Sequence, residues 1–329
     1  MMADTSYHGE SRILITGGHG FVGPYAVRAL QNVCGEKTQI MVTGSAPTAK
    51  SEMLDVTDKL TVRKIISQYH PTHVIHLAGL AAPAVAAADP DRAWNVHVDG
   101  TLNIAHAILD ETPDCWLVHV GSGLVYGGSA KSGLPLDEAA LLAPIDEYGA
   151  TKAAADLALG ALSYRGLKVI RMRPFNHIGV GQSDAFVVPA FATQVARIEA
   201  GLAPAVIRVG NLDSERDFLD VRDIANAYAL AVRRSADLAD DVIFNVASGI
   251  PRRIGDILTW FLGQSKVPIV VERDQNRVRP NDLPRIVGDA SRIRKALDWE
   301  PHYNLEETLA EILDDCRRRG SSVGSAQSE

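Results

Sequence analysis

The chain is short of cysteine and of surplus positive charge, and each shortage excludes something. Three cysteines in 329 residues, Cys34, Cys115 and Cys316, are an odd number without disulfide-framework or metal-ligand spacing. No metal site is expected, and the thiols suit a reducing cytoplasm. Lys and Arg total 33 against 40 Asp and Glu, a net charge of −7, which argues against nucleic acid or an anionic membrane as partner. No apolar run reaches the ~20 residues that span a bilayer, and residues 1–10 are polar, without the apolar core of a signal peptide. The expectation is a cytoplasmic globular protein with disordered tails at 1–10 and 320–329. What is present is ordinary: 46% apolar and 22% charged residues, enough for a large core in one or two lobes.

Tyr148-Gly149-Ala150-Thr151-Lys152 opens an alanine-rich stretch with helical propensity. Helical positions four apart share a face, so the Tyr148 phenol and the Lys152 ammonium can meet in one site. A neighbouring ammonium favours phenolate and lowers a tyrosine pKa from about 10, making a proton donor or acceptor. Alone the pattern is weak. Its weight comes from the strands that precede it.

Residues 12–16 are a buried-strand run leading into Gly17, Gly20 and Gly23 and then a helix from Pro24. Strand, glycine turn, helix is the setting of a dinucleotide fingerprint, with Phe21 and Val22 in the same loop. Strand 39–43 ends in Gly44-Ser45-Ala46, without the acidic residue that holds a ribose 2′-hydroxyl, so NADP(H) is favoured and NAD(H) remains possible. Residues 53–58 read as a strand end and a helix N-cap, placing Asp55 and Val56 beside the adenine. Strands 73–79 and 115–120 deliver Ala78, Gly79 and Ser122. A helix over about 90–110 separates them. The alternation predicts a doubly wound parallel-sheet Rossmann domain, 11–173 plus about 217–247, and a second, smaller α/β lobe, about 174–216 plus 248–318. In such sheets ligands bind at the carboxyl strand ends, where these residues and Tyr148 converge.

Thr16-Gly17-x-x-Gly20-Phe21-x-Gly23, Ser122-x-x-Val125-Tyr126-Gly127 and Tyr148-x-x-x-Lys152 together resemble the extended short-chain dehydrogenase/reductases, over about 12–318. The resemblance implies NAD(P)-dependent chemistry on a nucleotide sugar and a homodimer built from helices near 91–110 and 148–164. It implies that Ser122 hydrogen-bonds the sugar oxygen, Tyr148 transfers a proton, and Lys152 binds the nicotinamide ribose while lowering the tyrosine pKa.

Further residues bear on the branch of the family. Its dehydratases place acidic residues directly after the catalytic Ser/Thr, whereas this chain has Gly123 and Leu124. Arg173-Pro174-Phe175-Asn176-His177-Ile178-Gly179, with Arg216-Asp217-Phe218 and Arg279-Pro280, is similar to the branch that reduces GDP-4-dehydro-6-deoxy-D-mannose to GDP-D-rhamnose. Asn176, Arg216 and Arg279 are the candidates for the substrate diphosphate, and Arg277 for a surface ion pair. His177 is either a core histidine or a sugar contact. A reductase giving the 6-deoxy-talose epimer, a 4-epimerase and a non-catalytic dinucleotide sensor are the alternatives. Two positions depart from the family pattern. Val180 replaces a proline, which should loosen a substrate-loop turn, and His97 replaces an asparagine.

Overall fold

The computed structural model describes residues 11–46, 52–277 and 282–325. The chain begins with β1 (Arg12–Thr16), α1 (Gly23–Cys34), β2 (Gln39–Gly44), the two-residue β3 (Glu52–Met53) and α2 (Lys59–Tyr69). Asp58 caps α2, accepting from the amides of Leu60 and Thr61. Then come β4 (His73–His76), the short helices α3 (Pro83–Ala88) and α4 (Pro90–Trp94), a π-helical turn over Asn95–Asp99, and α5 (Gly100–Glu111). β5 (Trp116–Val120), α6 (Glu147–Ser163) and β6 (Lys168–Pro174) complete the first half. The second half runs β7 (Asn176–Ile178), α7 (Val187–Glu199), β8 (Val206–Val209), β9 (Glu215–Asp220), α8 (Val221–Arg233) and β10 (Asp241–Val246). It closes with β11 (Pro251–Arg253), α9 (Ile254–Gly263), β12 (Val270–Arg273), β13 (Arg285–Ile286), α10 (Ser291–Leu297) and α11 (Leu305–Ser325).

Seven parallel strands form one sheet in the order β10-β6-β5-β4-β1-β2-β3. The order reverses between β1 and β4, which opens a crevice at the carboxyl ends of the strands. Their near-continuous apolar sequences follow from helices covering both faces: Ile13, Leu14 and Ile15 are all fully buried. A smaller sheet pairs β9 with β7, β11 and β13, and β8 pairs with β12. A second apolar core, including Phe191, Phe218, Phe261 and Leu313, lies under these smaller elements.

The doubly wound sheet expected from the sequence is present, and several local expectations are corrected. The expected helix over 90–110 is interrupted by the π-turn, and α3 precedes it. α11 continues to Ser325, through part of the expected tail. One glycine costs a helix about 1 kcal/mol and does not stop it without a following proline. Ile293, Leu297 and Trp299, expected in the smaller lobe, pack in the core of the large sheet, whereas Phe218 joins the smaller core.

Candidate active site

The glycine turn is shaped by contacts that admit no side chain. Gly17 has φ +68°, and a Cβ there would lie 2.5 Å from the Ala78 backbone. A Cβ on Gly23 would lie 1.8 Å from the Gly18 carbonyl oxygen, so α1 packs directly on the turn. Pro24 opens α1, whose first turn carries no acidic residue, leaving its amides and positive dipole end to an anion. Gly17, Gly20, Phe21, Val22, Gly23, Asp55, Val56, Ala78 and Gly79 all line one cleft of about 1130 Å³. Asp55 also ties its own turn, accepting from the Thr57 amide and hydroxyl. The donor set fits a dinucleotide: a glycine cradle, a free helix N-terminus and a small-residue floor. Two buried polar atoms in the cleft wall, Gln182 Oε1 and the Tyr228 hydroxyl, have no protein partner.

Ser122, Tyr148 and Lys152 line the same cleft. Ser122 follows β5, and its Oγ accepts from the Leu124 amide at 3.1 Å, capping the next helical turn. Asp146 caps α6 by accepting from the Gly149 amide at 2.7 Å. Gly149 is a packing requirement, since a Cβ there would lie 2.9 Å from the Leu124 carbonyl oxygen. The Ser122 segment and the start of α6 therefore touch through backbone, which brings hydroxyl and phenol together. Asp156 locks α6 to the sheet, accepting from Arg171 at 3.0 Å and from Arg173 at 2.8 Å.

The electrostatics correct one expectation. Burial pushes the Tyr148 phenol up to about 12, a hydrogen bond from Ser122 pulls it back, and Asp146 pushes it up further. The Lys152 ammonium does not set that value. It donates to the Val120 carbonyl at 3.0 Å, and burial brings its own pKa down to about 8. Both groups are thus biased toward their neutral forms by burial.

The substrate side of the cleft is formed by β7, β9 and the loop after β7. Asn176 is exposed and lines it. Arg216 lines it too, but its guanidinium is ion-paired with Asp282 and donates to the Leu283 carbonyl at 2.8 Å. Asp282 was not legible as its partner from sequence. Arg279 lies outside the described residues, and Arg277 is ion-paired with Asp274 at 3.6 Å. His177 lines the cleft with its ring stacked on Phe21, centroids 6.1 Å apart. At Val180, in the substrate-loop turn, the carbonyl accepts from the Tyr25 hydroxyl at 2.8 Å. His97 is buried beside Tyr148, their rings edge to face at 5.6 Å. Its mismatch with the family asparagine was the available signal.

A dinucleotide cradle with serine, tyrosine and lysine at the sheet edge defines an NAD(P)-dependent oxidoreductase of the extended short-chain dehydrogenase/reductase class. Within that class the chain belongs to the GDP-mannose 4,6 dehydratase family, whose model matches residues 14–312. It is 34% identical over 250 residues to the GDP-6-deoxy-D-mannose reductase of Pseudomonas aeruginosa, covering 76% of this chain and 81% of that one. It is 26% identical over 304 residues to the GDP-6-deoxy-D-talose 4-dehydrogenase of Aggregatibacter actinomycetemcomitans, covering 92% and 96%. Among solved structures it resembles RMD from Pseudomonas aeruginosa complexed with NADPH, with TM-score 0.82 and 29% identity over 94% of this chain and 99% of that one. The NAD complex of Thermus thermophilus UDP-glucose 4-epimerase matches with TM-score 0.80 and 26% identity, over 93% and 99%.

Proposed function

We propose that the protein reduces the C4 ketone of GDP-4-dehydro-6-deoxy-D-mannose to GDP-D-rhamnose, with NADPH favoured over NADH. A protonated, buried phenol held beside Ser122 in a dinucleotide cleft carries this reading, because reduction needs an acid at the carbonyl oxygen. When bound, the nicotinamide supplies a hydride to the carbonyl carbon. Tyr148 gives its proton to the developing alkoxide, and Ser122 donates a hydrogen bond to the same oxygen. Lys152 holds the nicotinamide ribose. Arg216 and Asn176 hold the diphosphate. Arg279 is assigned the same role on sequence grounds.

The family's eponymous dehydration needs a carboxylate directly after the serine, where this chain has Gly123 and Leu124, and a Cβ on Gly123 would already lie 3.0 Å from the Phe175 ring. The preference for NADPH is supported by Gly44, Ser45 and Ala46, which line the cleft without a carboxylate to repel a 2′-phosphate. A homodimer through the segments 91–110 and 148–164 is supported by Trp94, Leu157 and Tyr164, whose side chains are exposed there. Cytoplasmic residence fits three cysteines that are all free. No helix among the described residues is long and apolar enough to cross a membrane.

The test is to follow loss of NADPH or NADH with GDP-4-dehydro-6-deoxy-D-mannose and to identify the product by NMR. GDP-D-rhamnose is expected, with Tyr148→Phe slower by about a hundredfold to ten-thousandfold while still binding NADPH. GDP-6-deoxy-D-talose would reverse the face of attack. Full activity in Tyr148→Phe would sink the mechanism, and absence of any turnover would leave an epimerase or a sensor.

A further inference from the structure

Two hydrogen-bond chains with defined direction meet at His97. In the first, the Leu80 amide donates to His97 Nε2 at 2.9 Å, so that nitrogen carries no proton. The neutral ring is therefore protonated at Nδ1, which lies 2.8 Å from Thr151 Oγ1. The Thr151 hydroxyl in turn donates to the Tyr148 carbonyl at 3.0 Å, leaving its oxygen free to accept from His97. In the second chain, the Thr101 hydroxyl donates to the His97 carbonyl at 2.6 Å. That hydroxyl accepts from His76 Nε2 at 3.0 Å, and His76 Nδ1 accepts from Thr16 at 2.7 Å. Side chain and backbone of His97 are thus both tied, and the residue sits in the π-turn Asn95–Asp99.

We infer that His97 is a positioning residue: as the neutral Nδ1–H tautomer it clamps the π-turn to α6 through Thr151 and so fixes Tyr148 against Ser122. The ring also packs edge to face with the tyrosine ring and lines the back of Gly79, where a Cβ would meet it at 3.2 Å. An asparagine reaches only one of the two partners, so this histidine joins two segments that the shorter amide leaves separate. A second proton on Nε2 would break the Leu80 bond. The charged and titratable groups around the ring are Lys152 and Tyr148 from α6, His76 from β4 and His119 from β5. Burial first and the Lys152 ammonium second hold the imidazole neutral, with its pKa near 3.

The tautomer is tested without substrate, by nitrogen-15 NMR of the histidine-labelled wild-type protein, the His97 signal being assigned by its loss in His97→Asn. Nδ1 should be protonated and Nε2 bare throughout the range where a free imidazole titrates, around pH 6.5. Titration in that range, or a protonated Nε2, would overturn the proposal. The kinetic arm rests on the reductase reading and uses His97→Ala, His97→Asn, Thr151→Val and the His97→Ala/Thr151→Val pair. His97→Ala and Thr151→Val should each lower kcat by about 10- to 100-fold, with NADPH affinity by fluorescence within about twofold of wild type. His97→Asn, which keeps the donor to Thr151, should recover much of the loss. The double variant should be no slower than the worse single one. Losses that multiply, or that track NADPH affinity, would overturn it. Failure of the substrate assignment leaves the tautomer result standing, so the two are distinguishable.

Discussion

One helical turn from Tyr148, the Lys152 ammonium donates to the Val120 carbonyl at the end of β5, 3.0 Å away. The bond anchors the cation at the strand edge where the cleft opens, and it is made at the cost of desolvating the charge. Its consequences reach both turnover and stability.

With its pKa lowered to about 8, Lys152 is an ammonium below that pH and loses its charge above it. The proposed reduction uses the ammonium to hold the nicotinamide ribose. kcat/KM should therefore be level at neutral pH and decline on the alkaline side of about pH 8. Lys152→Arg, which stays charged, should move that decline to higher pH. An unmoved alkaline limb would assign it to another group.

The unfolded chain binds this proton more tightly than the folded one, since the folded pKa falls from 10.5 to about 8. Stability contributed at this position is therefore missing at neutral pH and returns as pH rises from the folded value toward the unfolded one. The deficit at neutral pH is on the order of 3 kcal/mol. Lys152→Met should raise the Tm of the cofactor-free protein at pH 7 and lose that advantage in alkali, while turnover falls. Equal Tm at both pH values would refute the linkage.

Gly149 should not accept alanine. The added methyl carbon would lie 2.9 Å from the Leu124 carbonyl, and backbone cannot swing aside as a side chain can. Gly149→Ala should cost about 1–3 kcal/mol in urea unfolding and lower kcat by displacing Tyr148. Unchanged stability and turnover would show that α6 slides freely.

Arg216 should govern the nucleotide sugar alone. Arg216→Gln is expected to raise substrate KM about tenfold or more, leaving the KM for NADPH unchanged. Because the substitution takes the cation from the Asp282 carboxylate and leaves it only the Asn211 amide bond at 2.8 Å among those described, Arg216→Gln/Asp282→Asn should recover stability without recovering substrate KM. A parallel rise in both KM values would place the arginine elsewhere in the mechanism.

The large sheet and its ligand edge were legible because local patterns carry them. Apolar runs ending in Gly17, Ala78 and Ser122 announce buried parallel strands, and the glycine spacing announces the turn before α1. The Tyr148 and Lys152 pair share a face by helical period, and the strands that precede them gave the pattern its weight. The lobes were less legible, because Phe218 and Trp299 are apolar wherever they pack, and which core receives them is a matter of distant partners.

By itself, then, the sequence determined most of the strand-and-helix order and the glycine turn, and it marked the serine, tyrosine and lysine as candidates, since each pattern depends on neighbours within a few residues. Tertiary structure alone decided how those groups are charged and held. Burial in the assembled cleft raises the Tyr148 pKa where an adjacent lysine had promised to lower it. Likewise the pairing of Arg216 with Asp282, 66 residues away, and of His97 with Thr151, 54 away, is a property of the assembled fold. Desolvation and long-range hydrogen bonding have no signature in local spacing, because both arise only when remote segments exclude water together.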